Sequence, residues 1–424
     1  MRLTLPPIDR RLLVMLALGF SAGVPLPLTA FTLRQWFAES GVALTAIGLT
    51  ALIGLSYSCK FLWSPLLDQG TPPLFRRWGR RRGWLATIQP LLALAILAVG
   101  LTDPATAPGL TAAVAVLVAF LSASQDVVVD AYRIEVLEER QQGYGLACYV
   151  WGYRAALLVS GAGALGLAEL GGWALAYAVC AALVVLVGFA ATVLAPSPAE
   201  APATRLPWAR RMRAAVVEPF ADFARRPRWL GILLFVSLFK LGEALAGVMT
   251  TPFYRELGFS RLEVAQVGSV FGLFATLGGA LAGGWLIRRI GVAKALVLTG
   301  LGQMLSNLMY VALYHAGHDV PMLWLQVGIE NFTDGLADAA FLTYLGGLTS
   351  RAFTATQYAL LSSLAAVPLR TLGATSGWLA EALGWPNFFL LTTAAALPAM
   401  GLMLWLLRSL PPVPEPAEAA GRAA

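Results

Sequence analysis

Residues 109–133 read GLTAAVAVLVAFLSASQDVVVDAYR, an apolar run that ends in charged side chains. The run is long enough to cross a bilayer, which takes about 20 residues of α-helix. Because the hydrocarbon offers no water to backbone amides, a segment of this kind must be helical. Asp126, Asp130 and Arg133 are spaced to share one face of that helix. The segment therefore predicts a membrane helix with a charged stripe.

Segments of similar length and hydrophobicity recur along the whole chain. Of its 424 residues, 58% are hydrophobic and only 12% are charged, whereas a soluble domain is about 25% charged. We predict twelve spans, at about 12–34, 43–66, 84–102, 109–133, 145–168, 173–195, 229–253, 264–287, 292–314, 320–345, 355–380 and 386–407. The sequence therefore predicts an all-α integral membrane protein in a lipid bilayer.

The cysteines and histidines do not form the patterns that metal or redox chemistry needs. Cys59, Cys148 and Cys180 are far apart and lie inside predicted helices. The two histidines, His315 and His318, share one predicted loop. Neither a disulfide framework nor a metal site has the required spacing. We therefore expect no cofactor, and no catalysis that depends on a metal.

The basic residues are distributed unevenly between the predicted loops. Of the 30 Lys and Arg residues, 23 fall in the N-terminus, the loops that follow even-numbered spans, and the C-terminus. The opposite loops hold only Arg34, Arg255 and Arg261. This asymmetry places both termini in the cytoplasm. The net charge of +7 then follows from topology, and nucleic acid is not an expected partner.

The longest polar stretch divides the spans into two sets of six. Residues 196–228 are rich in proline and arginine, which suits a cytoplasmic linker. We predict a six-helix bundle on each side, at 1–195 and 229–410, followed by a flexible C-terminal tail at 411–424.

The two sets of six repeat each other. The acidic pair of the fourth span recurs in the tenth as Asp334 and Asp338, with the same spacing. Arg154 in the fifth span and Arg370 in the eleventh each precede a Ser-Gly pair by six residues. Repeats that run in the same direction, with six spans each, are typical of the major facilitator arrangement. We therefore predict that fold, with two pseudo-symmetric bundles.

The loop between spans two and three carries a further signal. It reads SPLLDQGTPPLFRRWGRRRGWL at 64–85 and resembles the facilitator loop motif, an aspartate followed by glycines and arginines. The alternative is that these arginines only reflect the positive-inside rule. We favour the motif, which predicts a cytoplasmic gating loop formed by Asp68, Arg80, Arg81 and Arg82.

Ten ionisable residues lie well inside predicted spans. They are Lys60, Asp126, Asp130, Arg154, Lys240, Glu243, Glu330, Asp334, Asp338 and Arg370. Each charge costs about 3 kcal/mol at the bilayer centre, so these groups must face a wet cavity or one another. Six carboxylates against four cations leave two acids without a partner. For Lys240 and Glu243, one turn apart, a static ion pair and a functional role are equally open.

The surplus of acids predicts proton carriers among them. The candidates for proton coupling are Asp126, Asp130, Glu330, Asp334 and Asp338. The alternative is that these acids are static ion pairs that fix helix packing. Arg154 and Arg370 suit either pairing with the acids or bidentate binding of an anionic ligand.

Several segments together resemble the AmpG family of muropeptide permeases. They include KFLWSPLLDQGTPP at 60–73, SASQDVVVDAYRIEVL at 122–137 and KLGEALAGVMTTPF at 240–253. The resemblance covers about residues 12–408. It implies a proton-driven importer of N-acetylglucosaminyl-1,6-anhydro-N-acetylmuramic acid and its peptides in the bacterial inner membrane. A monomer that binds this anionic glycopeptide is expected, with the proton as coupling ion.

The resemblance also suggests which residues matter. Those matching the family motifs are Lys60, Asp68, Gln125, Asp126, Asp130, Tyr153, Arg154, Lys240, Glu330, Asn331 and Gln357. Asp68 belongs to the predicted gating loop, and the others to the predicted binding and coupling site. That site also includes Glu243 and Arg370 for their charge, and Trp151, whose ring suits stacking on the sugar that the resemblance implies. Asp334 and Asp338 depart from the family pattern, which is small and uncharged at these positions.

Other functions are compatible with parts of the sequence. A facilitator-type symporter of acetyl-coenzyme A, a sugar or a peptide shares the fold and the coupling of transport to protons. A membrane-embedded transferase needs a sizeable loop or domain for its donor, and the loops here are short, so we do not expect an enzyme. A sensor with the same fold but no transport activity is a further alternative.

Overall fold

The computed structural model describes residues 9–70, 72, 74–138, 141–197, 217–348 and 354–409. Every regular element within these ranges is a helix, which confirms the all-α prediction. The chain forms two compact units: unit 1 lies within residues 1–207 and includes Ser260–Ala265, and unit 2 lies within 208–259 and 266–424. The predicted C-terminal tail and the centre of the predicted linker, residues 198–216, lie outside the described residues.

Unit 1 begins with a first span that prolines interrupt and ends with several helices in direct succession, from Gln142 to Leu194. Its α-helices are α1 (Arg10–Gly23), α2 (Pro25–Leu28), α3 (Phe31–Glu39), α4 (Leu44–Leu49), α5 (Leu55–Ser58), α6 (Ser64–Gln69), α7 (Arg80–Gly100), α8 (Pro108–Val136), α9 (Gln142–Leu158), α10 (Ala164–Leu183) and α11 (Ala190–Leu194). Short 3₁₀ or π turns connect them at Thr50–Gly54, Lys60–Leu62, Arg76–Trp78, Val159–Gly163 and Val184–Phe189.

The α-helices of the second half of the chain belong to unit 2, except Arg261–Glu263, which belongs to unit 1. They are α12 (Glu218–Ala224), α13 (Trp229–Leu238), α14 (Leu241–Glu256), α15 (Arg261–Glu263), α16 (Gly272–Ser306), α17 (Leu308–Ala316), α18 (Val320–Gly347), α19 (Thr354–Gly373), α20 (Ser376–Leu383), α21 (Trp385–Ala394) and α22 (Leu397–Ser409). A π-helical segment at Val264–Phe271 joins α15 to α16.

The helices are compatible with twelve spans. Eight stretches are long and apolar enough to cross a membrane, and two of them, Gln142–Leu194 and Arg261–Ala316, have 53 and 56 residues. Helices of that length span about 80 Å, more than twice the hydrocarbon thickness. Gly172 and Gly291 adopt φ of 82° and 78°, a conformation that favours glycine and ends a helix. Each stretch therefore divides into two spans.

The remaining two spans carry the charges or lie next to undescribed residues. Val320–Gly347 contains three acids, and the span at 354–383 begins beside a gap in the described chain.

One boundary differs from the sequence prediction. Arg34, which we expected in a loop, lies inside α3 with 9% of its surface exposed, and its Nε donates to Thr50 Oγ1 at 3.1 Å. The first span is therefore longer than predicted.

Helices α1 and α9 pack closely because glycines lie between them. A β-carbon at Gly152 would overlap the carbonyl oxygen of Leu16, and one at Gly19 would overlap that of Tyr149. Small residues of this kind let membrane helices approach until their backbones touch. The close approach fixes the rotation of α9 and thus the direction of its tyrosines.

Gly152→Ala is expected to lower the free energy of unfolding by about 3 kcal/mol, because the obstructing atoms belong to backbone and cannot turn aside. Gly143, in the same helix, has no neighbouring atom within 4 Å of the position that a β-carbon would take. Gly143→Ala is the matched control and should leave stability unchanged or slightly raised. Thermal unfolding in detergent measures both. Equal midpoints for the two variants would contradict the close packing.

Candidate functional site

A cluster of one lysine and three carboxylates lies inside unit 2. Lys240 occupies the break between α13 and α14, where its backbone φ of −101° and ψ of 17° leave the helical range. Its side chain is 15% exposed. A cation held at a helix break inside an apolar bundle needs compensating charge close by.

That charge comes from two helices. The Lys240 Nζ atom lies 2.9 Å from Glu243 Oε2, 2.7 Å from Asp334 Oδ1 and 2.5 Å from Asp338 Oδ1. Asp334 and Asp338 are four residues apart on α18, so they share one face of that helix. This face is directed toward Lys240, and both acids contact the lysine directly.

Gln303 completes this Lys240 cluster, and the sequence analysis missed it. Its Nε2 donates to Glu243 Oε2 at 2.6 Å and to Asp334 Oδ1 at 3.2 Å. Gln303 lies in α16, within the ninth predicted span, and none of the ten ionisable residues named above belongs to that span. A search for uncharged polar side chains inside apolar spans would have found it.

Glu330 and Asn331 lie one turn earlier in α18, toward its N-terminus. Glu330 accepts a hydrogen bond from Asn331 Nδ2 at 3.3 Å. Asn331 also donates to its own helix at Val327 O, 3.0 Å, and its Oδ1 accepts from Thr276 Oγ1 at 3.2 Å. Asn331 therefore joins α18 to α16, a packing contact as well as a predicted ligand contact.

Lys240 faces three carboxylates, so three like charges lie close together in the Lys240 cluster when all of the acids are ionised. At such short distances inside a bundle, like charges repel strongly. This repulsion is reduced when a carboxylate takes up a proton or a cationic group enters. The arrangement is thus suited to exchange protons or cations with a cavity.

Unit 1 brings together a second set of predicted residues around α8. The charge of Lys60 interacts with both Asp126 and Asp130. Asp126 is partly buried, and its Oδ1 atom is buried without a hydrogen-bond partner in the described structure. Asp130 is exposed. Gln125 is fully buried and accepts from Ser21 Oγ at 3.4 Å, so it binds α1 to α8.

The tyrosines of α9 border this α8 set, and the tryptophan does not. Tyr149 and Tyr153 lie 6.1 Å apart between ring centres, and both interact electrostatically with Asp126. Trp151 stands two residues away from each, about 200° around the helix, and is 73% exposed. The structure therefore does not bring Trp151 to Tyr153, because helical periodicity directs them to opposite sides.

The two remaining predicted cations lie in partly buried positions, one in each unit. Arg154 is partly buried and makes no ion pair with a described carboxylate. Arg370 is partly buried on α19 near its end. The side chain of Gln357 lies outside the described part of the structure.

The arginines of the predicted gating loop contact a residue that the sequence analysis overlooked. Arg81 Nη2 lies 2.7 Å from Glu135 Oε1 on α8, and Arg80 Nη2 lies 3.4 Å from the same atom. Arg82 donates to the carbonyl oxygens of Thr192 and Val193 at 3.2 and 3.0 Å. The side chain of Asp68 lies outside the described part of the structure. Glu135 was visible in sequence only as one charge near a helix end.

Arg261 anchors the segment Ser260–Ala265 within unit 1. Its guanidinium contacts both carboxylate oxygens of Glu39, at 2.7 to 2.9 Å, and Glu169 Oε2 at 3.2 Å. Its Cζ lies 5.3 Å from the centre of the Trp173 ring, and Trp173 Nε1 donates to Glu39 at 3.2 Å. Bidentate pairing with a carboxylate 9% exposed makes this a strong contact.

The hydrogen bonds to Glu39 raise the pKa of Arg261 above its ordinary value. A raised pKa on a cation contributes stability that is complete below the pKa of the unfolded chain and is lost only as the pH rises through the pKa of the folded protein. Arg261 therefore stays charged throughout the physiological range.

Arg261→Gln is expected to speed amide hydrogen exchange in Ser260–Ala265 by about tenfold or more, since hydrogen bonds between charged groups contribute about 1.5–3 kcal/mol. Arg255, six residues earlier, is exposed and makes no ion pair with a described residue. Arg255→Gln is the control and should leave the exchange unchanged. Exchange mass spectrometry in detergent makes the comparison. Equally slow exchange in both variants would contradict the anchoring role.

The described residues contain no group of three or more His, Cys, Asp and Glu placed to hold a metal ion. The carboxylates around Lys240 have the lysine ammonium as their counterion. The chemistry that these groups support directly is the binding of ions and the transfer of protons.

Comparison with known proteins identifies the relatives of the chain. The profile of the Major Facilitator Superfamily matches residues 11–369 and 241–424. The anhydromuropeptide permease of Escherichia coli K12 is 43% identical over 394 residues, which cover 92% of this chain and 78% of the permease. The putative transporter AmpG 4 of Rickettsia conorii is 36% identical over 416 residues, which cover 96% of this chain and 99% of that protein.

Solved structures share the fold at low sequence identity. The nucleoside transporter NupG superposes with a TM-score of 0.67 at 15% identity, covering 94% of this chain and 99% of that one. A POT family transporter in complex with 5-aminolevulinic acid gives a TM-score of 0.68 at 13% identity, covering 96% of both chains. At this identity the likeness concerns the fold alone.

Proposed function

The chain belongs to the Major Facilitator Superfamily and, within it, to the AmpG-type permeases, and we propose that it imports anhydromuropeptides by proton symport. In this proposal it is a multi-pass protein of the bacterial inner membrane with both termini in the cytoplasm. It transports its substrate without chemical change and is therefore not an enzyme.

The choice of substrate rests on one observation. The Escherichia coli relative, named an anhydromuropeptide permease, is 43% identical over 92% of this chain. Identity at this level extends through both bundles. The solved structures that share the fold, transporters of nucleosides and of other ligands, stand at 15% identity or less and do not discriminate between substrates.

Proton coupling is supported by the Lys240 cluster. Three carboxylates lie around one ammonium at 2.5 to 2.9 Å, and like charges this close inside a bundle repel one another strongly. Protonation of one or two of the acids relieves that repulsion. Asp334 and Asp338 thus have a defined role in this proposal.

The same lysine links the proton to the substrate. An anionic substrate group that approaches Lys240 competes with the carboxylates for its ammonium. If a proton has already neutralised one carboxylate, fewer negative charges oppose the anion, and substrate binds more tightly. By linkage, bound substrate then favours proton uptake to the same extent. Alternating access moves both together across the bilayer.

Uptake of labelled anhydromuropeptide into proteoliposomes tests the proposal. Accumulation above the external concentration is expected with an inward proton gradient, and only equilibration when an ionophore collapses the gradient. Accumulation that persists in the ionophore would refute proton coupling while leaving the substrate assignment intact. No uptake by folded protein under either condition would refute the substrate, and labelled acetyl-coenzyme A and peptides would be assayed next.

A further inference from the structure

A basic cavity lies on unit 1 at the start of α7. It has a volume of about 250 Å³ and is lined by Arg77, Arg80, Arg81 and Arg82 together with Glu135 and Ser197. Four guanidinium groups and one carboxylate give it a surplus of positive charge. The Lys240 cluster belongs to unit 2, so this cavity is a separate feature.

Of the four arginines, Arg77 is exposed and makes no ion pair with a described residue. Glu135 is shared by Arg80 and Arg81. Arg82 is held by two backbone carbonyl groups and by Ser197 Oγ at 3.0 Å. The Nε atom of Arg80 is buried and has no hydrogen-bond partner in the described structure. A buried donor without an acceptor is costly and indicates a place for one.

The surroundings of the cavity are those of a membrane interface. The Trp78 ring lies 5.4 Å from Arg82 Cζ and packs against Phe75 and Phe189. Leu74, in the same loop, is 77% exposed, and Leu194, beside the contacts of Arg82, is 56% exposed. Aromatic side chains gather at the headgroup level of bilayers, and the exposed leucines suit acyl chains.

We infer that this cavity binds the phosphate group of an anionic phospholipid. A phosphate oxygen is an acceptor that suits several guanidinium groups at once. Basic pockets of this kind on the cytoplasmic side of membrane proteins accept anionic headgroups. Free phosphate has the same chemistry, but only a lipid also engages the exposed leucines. The inference does not depend on which substrate the protein transports.

Native mass spectrometry of the delipidated protein in detergent tests the inference with three probes. They are phosphatidylglycerol, phosphatidylcholine and inorganic phosphate. Phosphatidylglycerol is expected to bind with a defined stoichiometry and tighter than phosphatidylcholine. The double variant Arg77→Gln/Arg80→Gln should weaken this binding by about 30-fold, since each arginine beside an anionic headgroup contributes about fivefold.

The control is Arg288→Gln/Arg289→Gln in unit 2. Both arginines are exposed, and Arg289 Cζ lies 5.5 Å from the Trp285 ring. The control should retain full phosphatidylglycerol binding. The single variant Arg77→Gln alters only an exposed side chain and repeats the test if the double variant fails to fold.

Three results would overturn the inference. They are equal affinity for the two lipids, an equal loss in the unit 2 control, and binding of inorganic phosphate as tight as that of phosphatidylglycerol. The last result would assign the cavity to free phosphate.

Discussion

Replacement of Asp126 by asparagine is expected to abolish accumulation of muropeptide against its gradient while the protein stays folded. Asparagine has nearly the same shape but cannot carry a proton. The Oδ1 atom of Asp126 is buried without a hydrogen-bond partner in the described structure, so the exchange removes no described hydrogen bond to that atom. It also removes a charge from a poorly solvated site, which favours folding. Proteoliposome uptake with an inward proton gradient is the measurement.

One further measurement separates proton coupling from substrate binding in the Asp126→Asn protein. Exchange of labelled for unlabelled substrate without a gradient should persist, because it requires no net proton movement. Asp103→Asn is the matched control, since Asp103 lies in the loop between α7 and α8 and its side chain accepts hydrogen bonds from Ala105 and Thr106 of its own turn. This control should accumulate substrate normally. An Asp126→Asn protein that accumulates as well as Asp103→Asn would rule out Asp126 as a proton carrier.

Replacement of Lys240 by methionine should have two large effects. Three carboxylates lose their shared cation, which is expected to lower the free energy of unfolding by about 3 kcal/mol. Uptake should fall by about 100-fold, the factor that corresponds to losing one buried charge partner. Thermal unfolding in detergent and initial uptake rates measure the two effects separately.

A double variant shows whether the stability loss arises from the unpaired acids. Lys240→Met/Asp334→Asn should be more stable than the sum of the single changes predicts, by about 1 kcal/mol or more, since the pair is removed as a unit. Lys294→Met is the matched control: Lys294 lies in unit 2, is exposed, and has no ion pair with a described residue. If Lys294→Met were as damaging as Lys240→Met, the Lys240 cluster would not be the cause.

Much of the candidate site was predictable from local periodicity. The four-residue spacing of Asp334 and Asp338 places them on one face of α18, and the structure directs that face toward Lys240. The one-turn spacing of Lys240 and Glu243 left an ion pair open as one reading, and the two groups lie 2.9 Å apart. Spacing alone did not reveal that Asp334 and Asp338 share the same lysine.

Other features could not be predicted because they depend on residues far apart in the chain. Gln303 reaches Glu243 and Asp334 from a different helix, and an uncharged side chain gives no strong signal in an apolar segment. Arg261 pairs with Glu39 across 222 positions of sequence. The aromatic ring of Trp151 suggests substrate binding from sequence, but its position on α9 directs the side chain away from Tyr153.

The sequence by itself determined the class of the protein, its helices and which charges share a helix face. Lipid leaves the backbone of an apolar segment no alternative to helix, and the helical repeat fixes the direction of each side chain relative to its neighbours. Only the tertiary structure decided which faces meet. That depends on how closely two backbones approach, as at Gly152, and on where a helix breaks, as at Lys240. Both follow from packing between distant segments, which no local pattern records.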